Sequence, residues 1–149
     1  MEAVIFMGLQ ASGKSTFFKE RFFDTHVRIN RDMLKTRHRE KLLLQACLEG
    51  KQRFVVDKTN PTRTHRQVYI EAARAAGFRV VGYYFQSRIE DCTDRNERRP
   101  PGEVIPVRGL LGTYSKLEMP SRAEGFDELS YVRIHVDGHF VVEEWDDEV

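Results

Sequence analysis

Ala3-Val4-Ile5-Phe6-Met7, followed by Gly8-Leu9-Gln10-Ala11-Ser12-Gly13-Lys14-Ser15-Thr16, is the stretch on which the fold turns. The apolar run reads as a buried strand. Gly8 to Ser15 fits G-x-x-x-x-G-K-[ST], a loop that leads a strand into a helix around a chain of phosphates. Glycines let the backbone wrap close to an anion with its N–H groups inward, and the start of the following helix adds partial positive charge. Lys14 can then reach the β- and γ-phosphates and the Ser15 hydroxyl can hold Mg²⁺. Gly8, Gln10, Ala11, Ser12, Gly13 and Thr16 complete the expected nucleotide-binding segment. The expectation is a bound nucleoside triphosphate, ATP with Mg²⁺.

Outward from that loop, strands and helices alternate. Strands are expected at Ala3–Met7, Val27–Ile29, Arg53–Asp57, Phe78–Phe85 and Tyr131–Val136, with Phe140–Val142 pairing back across an Asp137-Gly138 turn. Helices are expected from Gly13 to about Phe23, Arg31 to about Leu48, Pro61 to Ala76, Ile89 to about Arg98 and Val107 to Leu117. Pro100-Pro101-Gly102 forces an irregular link. The pattern predicts an α/β fold: a P-loop NTPase-type three-layer sandwich with a five-stranded, mainly parallel sheet and an arginine-bearing lid. Residues 1–142 form one domain on this reading, and 143–149 a frayed acidic tail.

The chain has 149 residues and a formal charge of +1, but five acidic residues fall after position 142, so residues 1–142 carry +6. The basic excess clusters at Arg28, Arg31, Lys35, Arg37, Arg39 and Lys41, at Arg63 and Arg66, and at Arg95, Arg98 and Arg99. A polyanionic partner and a set of solvated helix faces account for such clusters equally well. Cys47 and Cys92 lie far apart without metal-ligand spacing and suit unpaired thiols in a reducing compartment. No apolar stretch approaches a membrane span and no signal peptide fits, so a cytoplasmic enzyme is expected.

Several residues fall where ligands bind in such sheets, beyond the carboxyl ends of the strands. Asp57 ends an apolar strand and is placed to accept a hydrogen bond from Ser15 or from Mg²⁺-bound water. Asp32, just past the second strand, can orient an acceptor hydroxyl and take its proton; helix N-capping is its alternative use. Arg95 and Arg99, i and i+4 on one helix face, can bring guanidinium groups over a γ-phosphate. An Asn-Lys-x-Asp base-reading motif is absent, which disfavours a GTPase. Neither H-E-x-x-H nor G-x-S-x-G occurs.

Together, Gly8–Thr16, Ile29-Asn30-Arg31-Asp32 and Val55-Val56-Asp57-Lys58-Thr59-Asn60-Pro61 resemble the kinase domain of 5′-polynucleotide kinases. The likeness continues through Ala72–Gly77, Asn96 with Arg99, Ile105-Pro106-Val107 and Glu124-Gly125-Phe126, and so spans roughly residues 3 to 136. The resemblance implies ATP as phosphate donor, Mg²⁺, and the 5′-hydroxyl end of DNA or RNA as acceptor. Asp32 matches the general base, Lys14 and Ser15 the phosphate and Mg²⁺ contacts, and Arg99, assisted by Arg95, the lid arginine. Asp57 and Asn60 match acceptor-side and metal-shell positions, with Arg31 and Thr59 beside them. Lys35 stands where some members carry an arginine that grips the phosphate next to the reacting nucleotide. The Asp-x-Asp-x-Thr phosphatase motif of bifunctional members is absent. A kinase of a small-molecule hydroxyl and a non-catalytic nucleotide-binding module are the alternatives.

Overall fold

A computed structural model describes residues 1–146. Six strands, β1 (Glu2–Met7), β2 (Val27–Ile29), β3 (Phe54–Val56), β4 (Arg79–Phe85), β5 (Glu128–Ile134) and β6 (Phe140–Glu144), form one sheet in the order β2-β3-β1-β4-β5-β6. All neighbours are parallel except β5 and β6. Six α-helices lie between them: α1 (Lys14–Arg21), α2 (Arg31–Leu34), α3 (Arg37–Glu49), α4 (Arg63–Ala75), α5 (Ile89–Glu97) and α6 (Val107–Lys116).

The central position of β1 follows from its residues. Both of its neighbours are parallel strands, so it must be apolar on both faces. Ala3, Ile5 and Met7 point into a core closed by Cys47 of α3 and Tyr69, Ile70 and Ala73 of α4. Val4 and Phe6 point the other way, onto Phe17, Phe18 and Phe22. In this second core Phe6 meets Phe85 edge-on with ring centroids 5.0 Å apart, and Phe17 meets Phe140 at 5.1 Å. Such tilted pairs add to the area buried. A third, small cluster of Leu9, Cys92 and Leu110, with Ile89 and Ile105 against it, ties α5 and α6 to the phosphate loop.

Four expectations change. The sheet has six strands rather than five, because Phe140–Glu144 pairs with β5 along its whole length. The expected tail therefore begins too early. Glu143 and Glu144 lie in β6, bonded to Arg133 and Arg122, and Trp145 is buried against Tyr84 at 5.4 Å between ring centroids. Residues 147–149 of that tail lie outside the described residues. The helix expected over Arg31–Leu48 is broken at Lys35, whose φ of 75° is left-handed. Asn30 caps α2 through Met33 N, and Thr36 starts α3 afresh by accepting from Arg39 N, since a hydroxyl capping a new helix competes with continuing the old one. Thr62, not Pro61, opens α4, its hydroxyl accepting from His65 N. No helix among the described residues is long and apolar enough to cross a membrane.

Candidate active site

The carboxyl ends of β1, β2 and β3 and the start of α1 surround an open cleft of about 350 Å³. The loop at its floor is held from below. Gly8 N donates to Thr59 O at 3.0 Å, and Leu9 N donates to Ser87 Oγ at 2.9 Å. Gly13, at φ 100°, turns the chain into α1, and a Cβ there would lie 2.9 Å from Phe140 Cε1. Both the dihedral and the space require glycine.

Lys14 folds back over this loop. Its Nζ donates to Gly8 O at 2.9 Å, Leu9 O at 2.5 Å and Ser12 Oγ at 3.3 Å. The side chain is buried, and that burial, only partly countered by the Asp57 carboxylate, pushes its ammonium down to about 8. A charged lysine in this position stands ready for an anion that would restore its ordinary affinity for the proton.

Ser15 Oγ donates to Asp57 Oδ2 at 3.2 Å. Hydroxyl and carboxylate oxygens are the hard donors that Mg²⁺ takes, and two such donors with room for water and phosphate fit that ion. The pair already holds a cation of the chain's own. Arg28 Nε donates to Asp57 Oδ2 at 2.8 Å, and its Nη2 donates to Ser15 Oγ at 2.9 Å. Sequence reasoning counted Arg28 only as part of a basic cluster; its place at the second strand was the available signal, because β2 runs alongside β3.

Asp32 lies in the first turn of α2, exposed, and lines the same cleft as Lys14, Ser15 and Asp57. Asn30 fixes that turn, its Nδ2 donating to Asp57 O at 2.8 Å while its Oδ1 caps α2. Arg95 of α5 and Arg99 just beyond its end also line the cleft, and Arg95 Nη1 donates to Ala11 O of the phosphate loop at 3.3 Å. Gln10, Ala11, Gly13, Thr16 and Thr59 line it too. Gly8 and Ser12 serve instead as acceptors beneath Lys14.

Three expected acceptor-side residues do not line the cleft. Arg31 Nε is paired with the buried Glu40 at 2.8 Å. Asn60 is buried, with Nδ2 donating to Phe6 O at 2.8 Å, and so braces the end of β1. Lys35 sits exposed at the left-handed turn after α2, beyond the cleft lining.

Two polar clusters beneath the site were not legible in the sequence. Glu40 accepts from Tyr69 Oη, from Arg31 and from Lys58 Nζ at 3.1 Å. Burial works to raise its carboxyl, but those three donors outweigh burial and hold it below the usual carboxylate range. Burial and the Glu40 carboxylate together push the Tyr69 phenol well up. Arg66 is wholly buried, with Nε and Nη2 on Glu124 at 2.8 and 3.2 Å and Nη1 on Asn60 O and Glu118 O at 3.0 and 3.1 Å. It is therefore part of the scaffold, not of a basic surface.

A strand, a phosphate loop and a helix, with a helix hydroxyl paired to a carboxylate at the end of the neighbouring strand, define a P-loop domain. Residues 23–107, more than half of the chain, match the AAA domain family. The chain belongs to that family, and is a P-loop domain like that of polynucleotide kinases. It is 27% identical over 135 residues to the bifunctional polynucleotide phosphatase/kinase of Schizosaccharomyces pombe, covering 88% of this chain and 33% of the relative. The chain thus spans about a third of the length of the curated relative it matches. Among solved structures, Chaetomium thermophilum Kti12 in complex with ADP-AlF3 superposes with a TM-score of 0.61 at 17% identity, over 88% of either chain. AvrRxo1-ORF1:-ORF2 with ATP gives a TM-score of 0.71 at 14% identity, over 95% of this chain and 57% of that chain. At these identities the likeness is one of fold.

Proposed function

We propose that this domain is an ATP-dependent kinase that transfers the γ-phosphoryl group to the 5′-hydroxyl end of DNA or RNA. The observation that carries the reading is that Lys14, the Ser15–Asp57 pair, Asp32 and the two arginines of α5 line one cleft. A protein that only held a nucleotide would need neither an exposed carboxylate nor a pair of guanidinium groups in the same cleft as the phosphate loop. The polynucleotide kinase relative supports the choice of acceptor.

On this reading Lys14, Arg95 and Arg99 hold the γ-phosphate and neutralise charge that spreads over its oxygens during transfer. Ser15 and Asp57 would hold Mg²⁺, which supplies further charge neutralisation and orients the β- and γ-phosphates. Asp32 accepts the proton of the acceptor hydroxyl as its oxygen bonds to phosphorus and the bond to the ADP oxygen breaks. Base assistance of this kind contributes roughly 10²–10⁴ in rate.

The reading is tested by transfer from γ-labelled ATP across 5′-hydroxyl DNA, 5′-hydroxyl RNA, nucleosides and sugars, with wild type and Asp32→Asn. Label on a polynucleotide end with wild type, together with loss of transfer and retained ATP binding in Asp32→Asn, is the expected outcome. Label on a nucleoside or sugar alone would replace the acceptor class. Transfer to none of them, with ATP bound, would leave a nucleotide-binding module.

A further inference from the structure

The turn between β5 and β6 carries three metal-ligating side chains that the phosphotransferase reading does not use. His135, Asp137 and His139 alternate along it, and one ligand atom from each lies within 4.8 Å of the others. The hairpin sets them up. His135 N donates to His139 O at 2.8 Å, which places the two histidines opposite each other across the ladder, and Gly138 N closes the turn on His135 O at 2.8 Å. The imidazoles stack at 4.8 Å between centroids. His135 Nδ1 lies 3.2 Å from Asp137 Oδ1, and His139 Nδ1 contacts the same oxygen. Asp137 and Gly138 supply the turn residues; a turn of this kind does not call for a histidine on either side of them.

We infer that His135, Asp137 and His139 form a binding site for a borderline transition-metal ion, Zn²⁺ by chemical class, outside the phosphate-binding cleft. Two imidazole nitrogens and one carboxylate oxygen are a donor set for Zn²⁺, Ni²⁺ or Cu²⁺, whereas Mg²⁺ and Ca²⁺ take oxygen cages. With Zn–N near 2.0–2.1 Å, tetrahedral ligand atoms stand about 3.3 Å apart. The three ligand atoms, all within 4.8 Å of one another, bracket that separation. All three side chains are exposed, so water would complete the coordination. Ile134, Gly138 and Phe140 of the same hairpin line the cleft, so an ion here would clip one wall of it.

The test is titration of the metal-freed chain with Zn²⁺ against a chromogenic chelator, in millimolar Mg²⁺, with wild type, His135→Asn/His139→Asn and Asp137→Asn. The expected result is one Zn²⁺ per chain that Mg²⁺ does not displace, lost in the double histidine variant. Asp137→Asn keeps an acceptor for His139 N and so keeps the turn, yet binding weakens because the anionic ligand is gone. Co²⁺ in place of Zn²⁺ should give the visible absorption of a four-coordinate site in wild type alone. All three side chains are exposed, so unfolding in the presence of a chelator should be the same in every variant. Absence of Zn²⁺ binding, or binding unchanged in the double variant, overturns the inference. Neither result bears on the kinase reading, which no part of this titration measures.

Discussion

The buried ammonium of Lys14 makes a quantitative prediction about nucleotide binding. In the free protein its proton is half lost near pH 8, because desolvation outweighs the attraction of Asp57. A triphosphate brings several negative charges to the same atom and should return its pKa to the ordinary lysine range near 10.4. Binding must then draw a proton from solution: about 0.5 per nucleotide at pH 8, about 0.9 at pH 9 and about 0.1 at pH 7. Calorimetry in buffers of different ionisation enthalpy measures this directly, as the slope of apparent binding heat against buffer heat. Lys14→Arg, whose guanidinium stays charged throughout, should bind with no such slope from this position. A flat dependence at pH 9 in wild type, or the same slope in Lys14→Arg, would refute the assignment. The same shift has a sign for stability. The unfolded chain keeps the proton up to about 10.4 and the folded one only to about 8, so the folded state is penalised below pH 8 by about 3 kcal/mol. That penalty is relieved as pH rises from about 8 towards 10.4, and stability from this group rises with it.

Other perturbations follow from the packing. Arg66→Ala leaves the buried Glu124 carboxylate without its partner, and should cost about 3–5 kcal/mol in chemical denaturation; a loss under about 1 kcal/mol would remove its structural role. Gly82→Ala puts a Cβ 2.7 Å from Phe126 Cε1 and 2.8 Å from Leu129 Cδ1. Crowding of that kind costs about 1–3 kcal/mol, read as a lowered Tm with the cleft chemistry unchanged. Arg99→Ala should depress phosphoryl transfer far more than ATP affinity, and an effect confined to acceptor KM would reassign the side chain.

How much of this was legible in the sequence depended on the range of the interaction. The β1–loop–α1 unit could be read because strand, turn and helix signals are contiguous, Asp57 because it directly follows an apolar strand, and Asp32 because it opens a helix just past the second strand. Arg66 could not, since its partner Glu124 lies 58 positions away and a lone arginine on a polar helix looks solvated. Asn60 was read as an acceptor-side residue, whereas its amide is buried and donates to Phe6 O, a contact 54 positions away that no local pattern signals. Glu143 and Glu144 read as tail because charge dominates their composition, yet an edge strand tolerates charge, which also guards it against pairing with other chains. Their place shows in the ladder to β5 and in their partners, Arg133 on β5 and Arg122 in the turn before it.

The small cluster of Leu9, Cys92 and Leu110 has a mechanical corollary. Along with Ser87 Oγ on Leu9 N, Arg95 on Ala11 O and Gln10 Nε2 on Thr113 Oγ1 at 3.0 Å, it fastens the α5–α6 arm to the phosphate loop itself. Loop and arm therefore behave as a lever and its fulcrum: a swing of the arm strains the peptide groups that would cradle phosphate. Substitutions in α5 or α6 that never reach the cleft should alter nucleotide affinity through that linkage.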